Sequence, residues 1–303
     1  MKTLPLEQNF LAIEEKYSNL NDSAICIVSA PYEHSVSYGG GTANGPSAII
    51  EASQFVEFYD DETGKELCFE HGIATIEPIE FGDKIDEQAL DSIEEQVNEL
   101  LEMKKFVVTL GGEHTISIAP IKAYYKHFPN MSLLHFDAHS DLRESYEDMP
   151  YSHASALARV ADFFPTEHIT QVGIRAQCIE ESEFIKKNGI KTFYASQMRR
   201  HPQLSFFWRE YVVDSLADEV YITFDVDYFD PAIMPATGTP EPDGMLYSET
   251  IELISMIKAA GKKIIGLDVV ELAPMEGLKH PDMLAARLIY KILNLEFYKS
   301  ITN

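Results

Sequence analysis

Short apolar runs alternate with longer stretches of helical period along this chain. "AICIVSAP" reads as an early strand, and "DEQALDSIEEQVNELLEMKK" then places Leu90, Ile93, Val97, Leu100 and Leu101 on one helical face, with Asp86 as its N-cap. "FVVTLGG" is a strand, "ISIAPIKAYYKHF" a helix, and "PN" the turn into the strand "MSLLHFD". Further strands are predicted at "ITQVGI", "IKTFY", "EVYITFDVD" and "KKIIGLDVV". Helices are predicted between them, including "SETIELISMIKAAG" and a last one, "PDMLAARLIYKILNLEF", with Pro281 in its first turn. Apolar, β-branched strands alternating with helices mean a parallel sheet covered on both faces, so the fold class is α/β. No linker or internal repeat divides the sequence. Residues 1–303 are read as a single domain in which residues 1–20 form an N-terminal arm.

In such sheets ligands bind beyond the carboxyl ends of the strands, so the residues there are read as chemistry. "FVVTLGGEHT" ends in Glu113 and His114, and "LLHFDAHSD" in Asp137, His139 and Asp141. "YITFDVD" ends in Asp225 and Asp227, and "IIGLDVVELAP" in Asp268 and Glu271. Residues at i, i+2 and i+4 of an extended segment share a side. Asp137, His139 and Asp141 therefore converge if the extended geometry continues past the strand. Neighbouring strand tips would bring four aspartates and two histidines into one pocket. Packed carboxylates cannot all stay ionised without compensating cations. Two divalent ions balance four carboxylates, and oxygen and imidazole donors without thiolate favour an ion such as Mn²⁺. A lone DxHxD or DxD is weak evidence for metal. Their conjunction behind successive predicted strands is what carries the reading.

Composition narrows the class. Asp and Glu outnumber Lys and Arg 49 to 24, for a formal charge of -25, and no basic patch argues for nucleic acid or an anionic membrane as partner. Cys26, Cys68 and Cys178 form no paired motif, which points to a reducing compartment and to buried thiols. With no apolar signal core at the N-terminus, the expected location is the cytoplasm.

The segments "LGGEHTISIA", "LLHFDAHSD" and "TFDVDYFDPAIMPATGTPEPDG" resemble signature segments of the ureohydrolases, the arginase/agmatinase family. The resemblance runs from "PYEHSVSYGGGTANGPSAI" to "GLDVVELAP" and is nearest to bacterial and archaeal agmatinases. It implies a three-layer α/β/α fold with an eight-stranded, mostly parallel sheet, and two Mn²⁺ per chain. It implies that His114 and His139 each serve one ion, that Asp137, Asp141 and Asp225 are shared or bridging carboxylates, and that Asp227 completes the second position. His153, in "YSHAS", resembles the family's proton-handling histidine, and Glu271 the carboxylate that pairs with a guanidinium. The family's trimers and hexamers imply a homotrimer or homohexamer. Ile50 and Asp243 depart from common family residues (Arg and Gly) away from the metal ligands.

On this reading the partner is a small cationic guanidino substrate, with agmatine converted to putrescine and urea. Asp141 would orient the attacking water and take its proton, and His153 would protonate the departing amine. The same site would serve arginine, guanidinobutyrate, N1-aminopropylagmatine or formiminoglutamate, and a non-catalytic polyamine-binding relative is the alternative of another class. The loop "LRESYEDMPYS", residues 142–152, is expected at the far end of the substrate. Its Glu144, Glu147 and Asp148 should repel a carboxylate, unless Arg143 turns inward to bind one. His135 is read as packed on the opposite side of its strand from Asp137. Gly39, Gly40 and Gly41 are read as a flexible loop at the pocket edge.

Overall fold

The computed structural model describes residues 1–298. Its strands are β1 (Ile25–Ala30), β2 (Ile73–Thr75), β3 (Phe106–Gly111), β4 (Ser132–Phe136), β5 (Ile169–Ile174), β6 (Lys191–Tyr194), β7 (Glu219–Asp225) and β8 (Lys263–Val270). They form one 8-stranded sheet in the order β2-β1-β3-β8-β7-β4-β5-β6. Every pairing is parallel, so the sheet is wholly rather than mostly parallel. Residue pattern alone misses β2: three residues are too few to show a period.

Successive residues of the strands face opposite layers. Ile25, Ile27, Leu134, Phe136, Ile222 and Phe224 join one buried cluster with the helices Gly45–Ser53, Leu204–Ser215, Tyr247–Ala259 and His280–Phe297. Cys26, Val28, Leu133 and Tyr221 join another with the helices Asp86–Glu102, Ile118–His127 and Ala156–Ala161. This is the three-layer α/β/α arrangement. Each fully buried Leu, Ile or Phe is worth roughly 1.5–3 kcal/mol over exposure. A one-residue slip would exchange the faces of a whole strand, so the two cores fix the register.

That register lines up the strand ends. His135 pairs with Thr223 and Phe136 with Phe224, while Asp225 pairs with Val270 and Leu110 with Val269. Asp137, Asp225, Val270 and Gly111, each at or just past its strand end, therefore share one level at the middle of the sheet. Gly112 follows, and its backbone N–H bonds to Ala30 O at 3.1 Å. A Cβ there would lie 2.0 Å from Tyr32 O, so only glycine lets the chain pass this close.

Asp86 does not cap its helix. It has φ 49°, makes no capping hydrogen bond, and its N–H goes instead to the Tyr32 hydroxyl at 3.0 Å. Residues 1–20 run against the domain: Thr3 bridges Ile76 antiparallel, and Phe10, Leu11 and Ile13 are buried in the first cluster. Among the described residues no helix is long and apolar enough to cross a membrane.

Candidate metal centre

His114 begins a 3-10 turn directly after β3 and is buried. Its Nδ1 lies 3.1 Å from Asp137 Oδ2, 3.0 Å from Asp141 Oδ2 and 3.4 Å from Asp225 Oδ2. The other nitrogen, Nε2, lies 3.0 Å from Thr223 Oγ1, whose own proton goes to Asp268 Oδ1 at 2.7 Å. Thr223 must then accept from Nε2–H, which leaves Nδ1 with a bare lone pair. That buried atom has no hydrogen-bond partner and faces three carboxylate oxygens. Lone pair against lone pair is repulsive, and a cation among them turns each contact into a ligand bond. His139 Nδ1 is 2.9 Å from Asp227 Oδ2 and 3.6 Å from Asp137 Oδ1. Two sets of atoms are close enough to hold an ion: one on His114, His135, Asp137 and Asp141, the other on Asp137, His139 and Asp227.

Asp137 belongs to both sets, whereas Asp141 does not stand in the second. Nor does Asp141 arrive by continued extension of β4. Its φ is 53°, a left-handed turn that swings the carboxylate back toward His114. His135 is not on the far side of the strand either. Two residues apart, His135 and Asp137 share a face, and His135 Nε2 lies 2.8 Å from Asp137 Oδ2. Asp268 is not at the pocket: its carboxylate accepts from Ser117, Tyr221 and Thr223 behind the metal level.

Left to protons alone, these groups are far from their ordinary states. Burial would lower His114, yet the closeness of Asp137, Asp141 and Asp225 raises it well above its usual value. Burial and the Asp137 charge push Asp141 up to about 7. Burial, Asp227 and Asp137 raise Asp225 well above the usual carboxylate range. Protons are thus standing in for positive charge that the geometry calls for. The donor set, carboxylate oxygen and imidazole nitrogen, fits hard or borderline divalent ions.

The centre lines a cavity of about 490 Å³ with Glu271, His153, Arg143, Tyr146 and Glu241. Glu271, just beyond β8, has φ 65° and accepts the His114 N–H at 2.6 Å on Oε1. Burial and the neighbouring Glu113 raise its carboxyl well above the usual range. His153 is held by the segment Ser35–Ser37, with Nδ1 3.1 Å from Ser35 Oγ and Nε2 3.1 Å from Ser37 Oγ. Burial lowers its pKa. The glycine loop beside it is held rather than free. Glu33 accepts the Gly41 and Ala43 N–H groups, and Gly39 N–H bonds to Gly238 O at 3.2 Å.

Loop 142–152 does not present its acids to the cavity. Glu147 and Asp148 are the central, positive-φ residues of a tight turn closed by Tyr146 and Met149, so both point to solvent. Glu144 is exposed and pairs with Arg159 at 3.3 Å. Arg143 and Tyr146 are the residues of the loop at the cavity, with the guanidinium 5.6 Å from the Tyr146 ring and 3.9 Å from Glu181 Oε2. Another carboxylate on the cavity wall is that of Glu241, which has no hydrogen-bond or ion-pair partner among the described residues, although the Glu241 carbonyl accepts from Arg175. Sequence reasoning passes over it because it follows no strand, passes over Thr223 and Ser35 because their roles depend on contacts distant in sequence, and names Glu113 at its strand end without assigning it a role.

A model of the arginase family matches residues 23–294. The chain is 34% identical over 286 residues to an N(1)-aminopropylagmatine ureohydrolase of Synechocystis, covering 92% of this chain and 91% of that protein. It is 35% identical over 266 residues to an agmatinase of Bacillus cereus, covering 86% and 87%. The crystal structure of agmatine ureohydrolase of Thermoplasma volcanium superposes with a TM-score of 0.83 at 28% identity, covering 98% of this chain and 94% of that one. The chain belongs to the arginase family of ureohydrolases, enzymes built around a binuclear metal centre.

Proposed function

We propose that the chain hydrolyses the guanidino group of agmatine or of its N1-aminopropyl derivative, releasing urea and an amine, with two Mn²⁺ ions per chain. The observation that carries this reading is the unpartnered Nδ1 of His114 among three carboxylates, two of which, Asp141 and Asp225, line the same cavity as Glu271. His114, Asp137, Asp141 and Asp225 would hold one ion, and His139, Asp137, Asp225 and Asp227 the other. When bound, such a pair supplies a water acidic enough to react near neutral pH.

A guanidinium is a poor electrophile because its charge is spread over its nitrogens. Glu271 would hold this planar cation through charge-assisted hydrogen bonds and fix its carbon over the centre. The raised pKa of Glu271 marks a carboxylate that gains from a cationic partner. Asp141 would orient the water and accept its proton, and His153 would protonate the departing amine.

The cavity wall supports a substrate with a second positive charge. Arg175 spends its donors on the carbonyls of residues such as Gly173, Asp227 and Glu241, so it has none for a substrate carboxylate. Glu181 is committed to the Leu142 and Cys178 N–H groups and stands near Arg143. Glu241 remains as an unpaired carboxylate. A second reading, a guanidino acid such as guanidinobutyrate or arginine, rests on Arg143 at the cavity wall.

Urea release from the manganese-loaded protein separates these readings. Agmatine or N1-aminopropylagmatine should be turned over with kcat/KM at least about 100-fold above arginine, near 2.7 kcal/mol of discrimination. Faster release from arginine or guanidinobutyrate would overturn the cationic-tail reading. No urea from any guanidino compound would overturn the activity.

A further inference from the structure

The buried carboxylate of Glu113 is fully occupied as an acceptor. Oε2 takes the backbone N–H groups of His34 at 2.8 Å and Ser35 at 2.7 Å. Oε1 takes the hydroxyls of Ser35 at 3.0 Å and Thr115 at 2.8 Å. With four donors directed onto its two oxygens, the carboxylate serves here as an acceptor at every contact.

That commits the single hydroxyl proton of Ser35 to Glu113, and leaves the Ser35 oxygen with lone pairs alone for its other neighbours. Both belong to His153: the backbone N–H donates to Ser35 Oγ at 2.9 Å, and the ring Nδ1 stands 3.1 Å from the same oxygen. Facing an oxygen with no proton to give, Nδ1 must carry its own. The neutral ring then has its lone pair on Nε2, which lies 3.1 Å from the Ser37 hydroxyl, and Ser37 lines the cavity. Ser35 and Glu113 are buried while His153 is not, so the fixed half of the ring is the protected one.

We propose that Ser35 is a positioning residue that locks His153 in its Nδ1–H tautomer, so that Nε2, at the cavity, is the nitrogen that gains and loses the proton. The proposal rests on the reading of His153 as the proton donor to the departing amine. In the other tautomer the titrating nitrogen would be Nδ1, turned toward Ser35 and away from substrate. The proton is delivered by the Nε2–H of the imidazolium to the amine nitrogen as its bond to the guanidino carbon breaks, and the ring returns to the neutral Nδ1–H form. No other reactant is needed.

The test is the ¹⁵N spectrum of histidine-labelled, full-length protein in the solid state, loaded with Mg²⁺ to avoid paramagnetic broadening. The His153 signals are identified by their loss in His153→Ala. The expected spectrum at alkaline pH has a protonated Nδ1 and an unprotonated Nε2, and Ser35→Ala should shift population to the Nε2–H form. In the manganese-loaded enzyme Ser35→Ala should lower kcat by at least about 10-fold with KM changed by less than about 2-fold, a smaller loss than removal of an acid itself. Its bound manganese should be unchanged, and Ser35→Thr, which keeps the hydroxyl, should recover most of kcat. A wild-type spectrum with Nε2–H overturns the proposal whatever the kinetics. Full kcat in His153→Ala overturns instead the proton-donor reading, whatever the spectrum.

Discussion

Asp268 reaches His114 only through the hydroxyl of Thr223. The carboxylate collects protons from Ser117 and Tyr221, each at 2.8 Å, and from Thr223 at 2.7 Å, and Thr223 in turn accepts from His114 Nε2. This chain orients the ring and keeps Nδ1 free for a cation, as partners behind metal-ligating histidines generally do. Thr223→Val keeps the shape but leaves Nε2–H buried with no acceptor. Manganese affinity at one of the two positions should fall about 10–100-fold, read by equilibrium binding to the metal-free protein, and Thr223→Ser should restore it. Unchanged affinity in the valine variant would remove Thr223 from the metal site.

Metal binding should strengthen with pH, and the sign follows from the direction of the shifts. Asp141 in the fold sits at about 7, above the ordinary carboxylate range of about 3.9. Its contribution to folding is full below the unfolded value and is lost as pH rises through about 7. His114 is raised as well, so its contribution is also lost as pH rises through its folded value. Metal-free protein is therefore penalised at pH 8 relative to pH 6, and an ion that replaces those protons stabilises more at pH 8. The Tm increment on adding Mn²⁺ should grow over this range, with apparent affinity rising about tenfold per pH unit for each proton displaced. An increment that shrinks with pH would contradict the assignment.

Glu241→Gln removes the unpaired charge on the cavity wall without changing its shape. For agmatine kcat/KM should fall about tenfold through KM, and the ratio of agmatine to guanidinobutyrate rates should narrow. Salt should weaken the wild-type preference, because the site is open to solvent. Equal kinetics in wild type and variant would leave the tail specificity to Arg143 and Tyr146.

Much of this centre is legible in the sequence because a parallel strand announces itself by its apolar run, and the ligands follow directly. Asp137, Asp225 and His114 are found that way, and the register then aligns them. A period of two places His135 on the same side of its strand as Asp137, and the structure has the two bonded there. Asp141 reaches the right place for a reason the pattern does not contain, since a positive φ in a non-glycine residue depends on its tertiary surroundings. The acidic loop misleads because composition says nothing about direction. Glu147 and Asp148 occupy the tip of a turn, and turn tips face water. Asp243 has φ 68°, a conformation that suits glycine, and it is held by Arg199 at 3.2 Å and Arg200 at 3.1 Å.

Two cations on these carboxylates and imidazoles would make the chain a guanidino hydrolase. Stepwise addition of Mn²⁺ to metal-free protein, with urea release from agmatine and N1-aminopropylagmatine followed at each step, tests it most directly. Activity should rise to a plateau at two equivalents per chain, and Asp227→Ala should bind one equivalent tightly with activity nearly lost. A wild-type plateau at one equivalent, or an Asp227→Ala protein with two tight sites and full activity, would contradict the two-cation centre.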